Sequence, residues 1–159
     1  MAIEQAREYL KQFGIEDRIR EFSVSSATVE LAAQALGCEP ARIAKTLSFW
    51  VEQRAVLIVA AGDAKVDNAK FKAQFHVKAK MIPPQEVEQA VGHAVGGVCP
   101  FGIKEGVEVY LDVSLRRFDT VFPACGSSNS AIEMMPEELE RCAKSMAWLD
   151  VCKGWQENG

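Results

Sequence analysis

The 159-residue chain has only two histidines, His76 and His93, and neither stands at metal-ligand spacing from a cysteine or carboxylate. Its five cysteines, Cys38, Cys99, Cys125, Cys142 and Cys152, form no CxxC pair, and their count is odd. Neither a disulfide framework nor a zinc site is suggested, and cytosolic free thiols are the simplest reading. No metal and no cofactor is expected. Long apolar runs are missing as well: nothing approaches the roughly 18 residues of a membrane span. The N-terminal stretch MAIEQAREYLKQFGIEDRIREF is amphipathic, with early acidic residues and no apolar core of signal-peptide length. Finally, basic charge is not in excess. Lys and Arg number 18 against 22 Asp and Glu, a formal net charge of −4. Such a chain does not coat nucleic acid by bulk charge, so DNA is not an expected partner and any nucleic-acid contact must be local. A cytoplasmic protein that meets no membrane is expected.

What is present is ordinary globular material. A hydrophobic fraction of 48% and a charged fraction of 25% suit one domain with a real core, spanning residues 1–159. Residues 2–13 place Ile3, Ala6, Tyr9, Leu10 and Phe13 on one helical face, with Gly14 as a stop. Thr28 can cap a helix over VELAAQAL, closed by Gly37, and Pro40 can open a short turn. IAKTLSFWV reads as extended, and AVLIVAA, apolar on both parities, reads as a central strand. Asp67 can cap NAKFKAQF, VKAKM reads as a short strand, and PQEVEQAV as a helix. In VEVYLDV the alternation predicts Val107, Val109, Leu111 and Val113 inward, with Glu108, Tyr110 and Asp112 outward. DTVFPACG and SAIEMM read as two strands around a glycine-serine turn, and PEELERCAKSMA as a terminal helix opened by Pro136. The pattern is a mixed α/β fold.

Three features invite a chemical reading. Lys45 shares the strand parity of Ile43, Leu47, Phe49 and Val51, an unusual place for an ammonium, which is costly to bury unpaired. It is either a strand-end lysine that snorkels to water or a cation at a cleft mouth. AVGGVCPFGI is an apolar loop in which Gly96 and Gly97 permit positive φ and Pro100 fixes its neighbourhood. It is either a tight connection or a cradle of N–H groups aimed at a ligand oxygen. Gly126, Ser127, Ser128 and Asn129 either form a hairpin turn or present hydroxyl and amide groups beside the other two features. Cys99 has no sequence-adjacent base to lower its pKa, so it reads as a packed side chain rather than a nucleophile. Asp112, with Ser114, suits a supporting hydrogen-bond role at a strand end. Lys65, Lys70, Lys72, Lys78 and Lys80 form a local basic cluster, the best landing place for a phosphate backbone.

In order, ARIAKTLSF, GGVCPFG, VYLDVSL and GSSNSAIEMMPEEL resemble the YbaK / prolyl-tRNA synthetase-associated editing domains, from about Thr28 to Leu139. The Ala-Lys-Thr-Leu lysine and the Gly-x-x-x-Pro loop, Gly96 to Pro100, carry the likeness. The resemblance implies a single domain with a curved mixed sheet around a cleft, flanked by helices. It also implies deacylation of mischarged aminoacyl-tRNA, commonly cysteine, alanine or serine on tRNA for proline, with prolyl-tRNA synthetase as a possible partner. It assigns the orienting lysine to Lys45 and the carbonyl-contacting loop to Gly96, Gly97, Val98, Cys99 and Pro100. Phe22, Thr28, Thr46, Asp112 and the Gly126–Asn129 turn are implied to line or support the substrate pocket. Ser128-Asn129 stand where some alanine-specific relatives place a histidine, so the amino acid is left open. Two other function classes stay open beside the deacylase: a non-hydrolytic binding module of this fold, and a hydrolase of small amino-acid esters or thioesters.

Overall fold

Helix α1 (Ala2–Lys11) opens residues 2–155, which are those described by the computed structural model, and it buries Ala6 and Leu10. A 3-10 turn at Glu16–Arg18 leads to the two-residue strand β1 (Arg20–Glu21), and neither was legible as an element. Helix α2 (Val29–Leu36) begins where expected: the Thr28 hydroxyl accepts from the Leu31 amide at 3.1 Å, and Gly37 ends it in the left-handed region at φ +70°. Strands β2 (Ile43–Val51) and β3 (Arg54–Ala61) form an antiparallel hairpin with Lys45 opposite Ala60. Then come β4 (Lys65–Val66) and helix α3 (Asn68–Phe75), whose cap Asp67 accepts from the Lys70 amide at 3.0 Å. Helix α4 (Pro84–Val91), β5 (Glu108–Asp112), β6 (Phe122–Pro123) and β7 (Ser130–Ala131) follow, before helix α5 (Pro136–Ala143), β8 (Trp148–Leu149) and β9 (Cys152–Lys153).

The main sheet is five-stranded and mixed, in the order β6-β2-β3-β5-β8. Only the β2–β3 pairing is antiparallel; β2–β6, β3–β5 and β5–β8 are parallel. Two small antiparallel pairs, β1 with β7 and β4 with β9, tie the chain's outer segments to this sheet. The central position of β3 explains its continuous apolar run, since both faces are covered and residues Ala55–Ala61 are all buried. Phe49, Phe71 and Phe75 stack along one side of the hairpin, with ring centroids 4.9 and 4.7 Å apart.

Several expectations change. VKAKM forms no strand; it contributes one bridge, Met81 to Phe49, because the chain needs only two hydrogen bonds to close the edge of β2 there. DTVFPACG and SAIEMM keep only two ladder residues each, β6 and β7, because their partners are β2 and β1 as well as each other. The terminal helix stops at Ala143, and the chain behind it returns to the sheet as β8 and β9. Asp112 does not face outward: it is fully buried and accepts from the Ser114 and Val151 amides, each at 3.0 Å. A period-two pattern cannot anticipate this, because the aspartate caps a 3-10 turn and simultaneously holds the returning C-terminal segment.

Asp112→Ala should therefore unfold at lower urea concentration. It strands two buried amide donors, at about 1–3 kcal/mol each, so a loss of roughly 2–6 kcal/mol is the expected outcome by equilibrium denaturation.

Candidate active site

Strand β2 is paired with β3 along its length, but its other edge is paired only at its ends. At the N-terminal end Ile43 and Ala44 lie against Phe122 and Pro123 of β6. At the far end the Trp50 amide donates to the Lys80 carbonyl at 2.9 Å, and the Ile82 amide donates to the Ser48 carbonyl at 3.0 Å. Between these closures the edge is open, and a cavity of about 310 Å³ occupies the gap. Its walls are mainly apolar, supplied by Val29, Ala32, Ile43, Leu47, Ile82, Val87, Val98 and Phe122. Met81 and Val95 line it while remaining 57% and 60% exposed, so they form its rim. Ser26, Thr28, Lys45, Thr46, Ser48 and Ser130 are the polar residues along it.

Lys45 lines this cavity from β2 and is half-buried. Its ammonium donates to the Gly62 carbonyl at 3.4 Å. Burial holds its pKa below the ordinary lysine value, and the opposing pull of Cys152 and Asp63 is weaker. The ammonium has no carboxylate ion-pair partner among the described residues. A partly desolvated cation with one long carbonyl contact retains donors for a ligand oxygen.

The glycine loop divides into a lining half and a packing half. Gly96, at φ +94°, and Val98 line the cavity, and their amides meet no acceptor among the described residues. Gly97 differs from expectation. Its φ is not positive, its amide donates to the Ala94 carbonyl at 3.1 Å, and it is absent from the cavity wall. A Cβ there would sit 2.6 Å from the Ser127 nitrogen and 2.7 Å from the Gly126 carbonyl carbon. Gly97 is bare so that two loops can touch backbone to backbone, not so that a ligand can. Cys99 and Pro100 lie behind the wall. His93 and Cys99 are both 0% exposed, with Nε2 and Sγ 3.5 Å apart. This pair is not a nucleophile and its base. The Phe101 carbonyl, 2.6 Å from His93 Nε2, can only accept, so that nitrogen carries the proton and has no lone pair for the thiol. Burial pushes the Cys99 thiol up to about 12.

The Gly126–Asn129 turn stands one layer back. The Ser127 hydroxyl donates to Asn129 Oδ1 at 3.0 Å and lies 2.6 Å from the Ser130 hydroxyl. Asn129 Nδ2 donates to the Phe22 carbonyl at 3.0 Å, and the Phe22 amide donates back to the Asn129 carbonyl at 2.7 Å. The Ser26 amide donates to the Ser128 carbonyl at 2.6 Å. Phe22, Gly126, Ser127, Ser128 and Asn129 therefore fix the wall without forming it, and Asp112 is a buried bracket away from it. Thr28 lines the cavity, although its hydroxyl is occupied as the α2 cap. Of the residues singled out in the sequence, the fold brings Thr28, Lys45, Thr46, Gly96 and Val98 to one cavity. Ser26, Ser48 and Ser130 were missed: nothing in SVSSAT or GSSNSA distinguishes the serine that lines from those that brace, and Ser48 stands in an apolar strand with no local signal that its edge is near a cavity.

Among the described residues no group of three His, Cys, Asp or Glu could hold a metal ion, and no helix is long and apolar enough to cross a membrane. All five cysteines are free thiols. The basic cluster is smaller than its sequence suggests. Lys70 is tied to Asp150 at 2.9 Å and to the Cys152 carbonyl at 3.1 Å, whereas Lys65, Lys72, Lys78 and Lys80 are exposed.

Residues 24–142 match the family model described as the aminoacyl-tRNA editing domain. The chain is 54% identical to the uncharacterized protein YwhH of Bacillus subtilis strain 168 over 157 residues, 98% of this chain and 100% of that one. It is 29% identical to the proline–tRNA ligase of Geobacillus sp. strain WCH70 over 115 residues, 72% of this chain. It spans only 20% of that ligase's length. A crystal structure provisionally described as a trans-editing enzyme for prolyl tRNA synthetase superposes with a TM-score of 0.86 at 28% identity, covering 96% of this chain and 98% of that one.

Two outcomes check this geometry. Gly97→Ala should destabilise by about 1–3 kcal/mol in urea denaturation, the usual cost of overpacking, because backbone stands where the methyl would go. In native protein at pH 8, iodoacetamide should label Cys38 and leave Cys99 unmodified, as read by peptide mass spectrometry; rapid labelling of Cys99 would show an accessible thiolate.

Proposed function

The chain belongs to the aminoacyl-tRNA editing domain family, and we propose that it acts in trans, hydrolysing the ester of mischarged aminoacyl-tRNA. In this reading residues 1–159 form one editing domain. The amino acid removed is small, such as cysteine, alanine or serine, and tRNA for proline is the expected carrier. The observation that carries this reading is the cavity itself. It holds a partly desolvated lysine and free loop amides against a small apolar wall, with no paired nucleophile and base.

An aminoacyl ester suits such a site because it is already activated. Water adds to the ester carbonyl carbon, the C–O bond to the ribose breaks, and a proton from the water passes to the ribose oxygen, leaving a free amino acid and an uncharged tRNA. The negative charge that develops on the carbonyl oxygen needs fixed donors. Within the loop the amides of Gly96 and Val98 are available, which moves the loop's role away from Gly97. Lys45 orients the ester oxygens by charge. The apolar wall discriminates by size, where a methylene is worth only about 1–3 kcal/mol, so a small side chain enters more readily than a large one is strictly barred.

The likeness to prolyl-tRNA ligases supports tRNA as the partner and a relation to that synthetase. Lys80 immediately precedes Met81 of the cavity rim, and to the exposed lysines at positions 78 and 80, which line a neighbouring hollow, we assign contact with the phosphate backbone of the tRNA. A non-hydrolytic binder is the second reading. It is disfavoured because neither Phe22 nor Phe101 lines the cavity; Phe101 is fully buried in the core instead. A hydrolase of small esters differs only in needing no tRNA.

Single-turnover deacylation of tRNA for proline charged with alanine, cysteine or serine tests the reading. Lys45→Ala should lower the rate on the favoured substrate by about 100-fold or more, the scale of losing one transition-state contact, with the melting temperature unchanged. Lys45→Arg should not restore it, because a planar fork cannot replace a compact ammonium. A wild-type rate in Lys45→Ala would remove Lys45 from the chemistry.

A further inference from the structure

The ladder between β2 and β3 runs without a bulge from Ala44–Ala61 to Val51–Arg54. Backbone groups alternate sides along such a strand. The side turned away from β3 belongs to the even-numbered residues, as the bonds of Ser48 and Trp50 to the 80–82 segment establish. Ala44, on the same side, is covered by β6. Beyond Pro123 the β6 chain turns away, and Ala124 bridges to Ala131 instead. Thr46 is the even-numbered residue left between these closures. Its outward N–H and C=O meet no backbone partner among the described residues, and it lines the cavity. Its hydroxyl is buried without a hydrogen-bond partner as well. The hydroxyl is buried and the residue as a whole half-buried; buried polar groups are nearly always paired, and an unpaired hydroxyl beside an unpaired strand edge marks a place where a ligand can supply partners.

We propose that the open edge at Thr46 docks the aminoacyl group as a one-residue β-strand. In an antiparallel ladder, a hydrogen-bonded pair of residues exchanges both N–H···O bonds. An α-aminoacyl group carries a nitrogen donor and a carbonyl acceptor with a residue's own backbone spacing. Its α-ammonium donates to the Thr46 carbonyl, and its acyl oxygen accepts from the Thr46 N–H. The second lone pair of that oxygen stays available to the loop amides. The contact reads the α-amino acid skeleton and ignores the side chain, which the apolar wall measures separately. The inference rests on the aminoacyl-tRNA reading of the cavity and adds the atoms that recognise the backbone of the amino acid.

The test uses two unreactive probes, adenosine bearing alanine in amide linkage at the 3′ position and the same molecule bearing propionate, which lacks the amine. In two-dimensional amide NMR of the wild-type protein, the alanyl probe should move the Thr46 resonance downfield. It should also bind at least about tenfold tighter than the propionyl probe, as a charge-assisted hydrogen bond requires. Thr46→Pro removes the outward N–H without touching the β3 ladder, and should weaken the alanyl probe by about tenfold. If that variant fails to fold, the wild-type probe pair still decides. Equal affinities, or an unmoved Thr46 amide, overturn the proposal whatever the deacylation assays return. A moved amide and a tenfold preference without turnover of any mischarged tRNA overturn the hydrolase reading and leave this one standing.

Discussion

Strand β2 is held on one side for its whole length and on the other only at its two ends, and the rest of the site depends on that half-paired edge. A nine-residue strand with one free edge would invite pairing with another chain. Here β6 covers Ile43 and Ala44, and the 80–82 segment covers Ser48 and Trp50. The opening between them leaves one outward-facing residue, Thr46, and is too short to admit a full strand. The buried run Ala55–Ala61 of β3 backs this edge. The cavity is thus a gap in a sheet, framed by backbone that cannot collapse into it.

The wall opposite that gap is assembled from segments far apart in sequence. Residues 22–26, 94–98 and 126–131 meet through backbone contacts, and side chains act mainly as ties. Gly97 packs against the Gly126–Ser127 peptide. Asn129 exchanges hydrogen bonds with Phe22, and Ser128 receives the Ser26 amide. Close approach of main chain to main chain is what selects glycine at position 97 and short polar residues in the turn. With one glycine committed to packing, its neighbours Gly96 and Val98 are free to face the cavity. This arrangement supports an editing role in which fixed amides and one cation do the stabilising, and no side chain needs to be a strong base.

The surroundings of His93, Cys99 and Lys45 point the same way. His93 and Cys99 are near enough to suggest a dyad. Yet the protonated nitrogen of the histidine faces both the Phe101 carbonyl and the thiol, and burial disfavours the thiolate. Lys45, by contrast, is only partly buried, keeps a single long carbonyl contact and opens onto the cavity. Desolvation disfavours a thiolate at Cys99, and at Lys45 it makes the ammonium a stronger hydrogen-bond donor to an incoming oxygen.

The sequence by itself determined the elements whose stabilisation is local. The Thr28 and Asp67 caps, the Gly37 stop and the central strand at AVLIVAA follow from hydrogen bonding and apolar periodicity within a few residues. The anomaly of Lys45 on an apolar strand was equally visible, and so were the family motifs around it. Only the tertiary structure decided what depends on partners distant in the chain. It turned the outward-reading Asp112 into a buried bracket for Ser114 and Val151, reduced VKAKM to one bridge, and returned the C-terminus to the sheet as β8 and β9. It also separated two adjacent glycines that look equivalent in sequence, giving Gly96 to the cavity and Gly97 to the packing of loops. Local pattern records the face a residue prefers; which neighbour occupies that face is set by strand order, and strand order is a property of the whole fold.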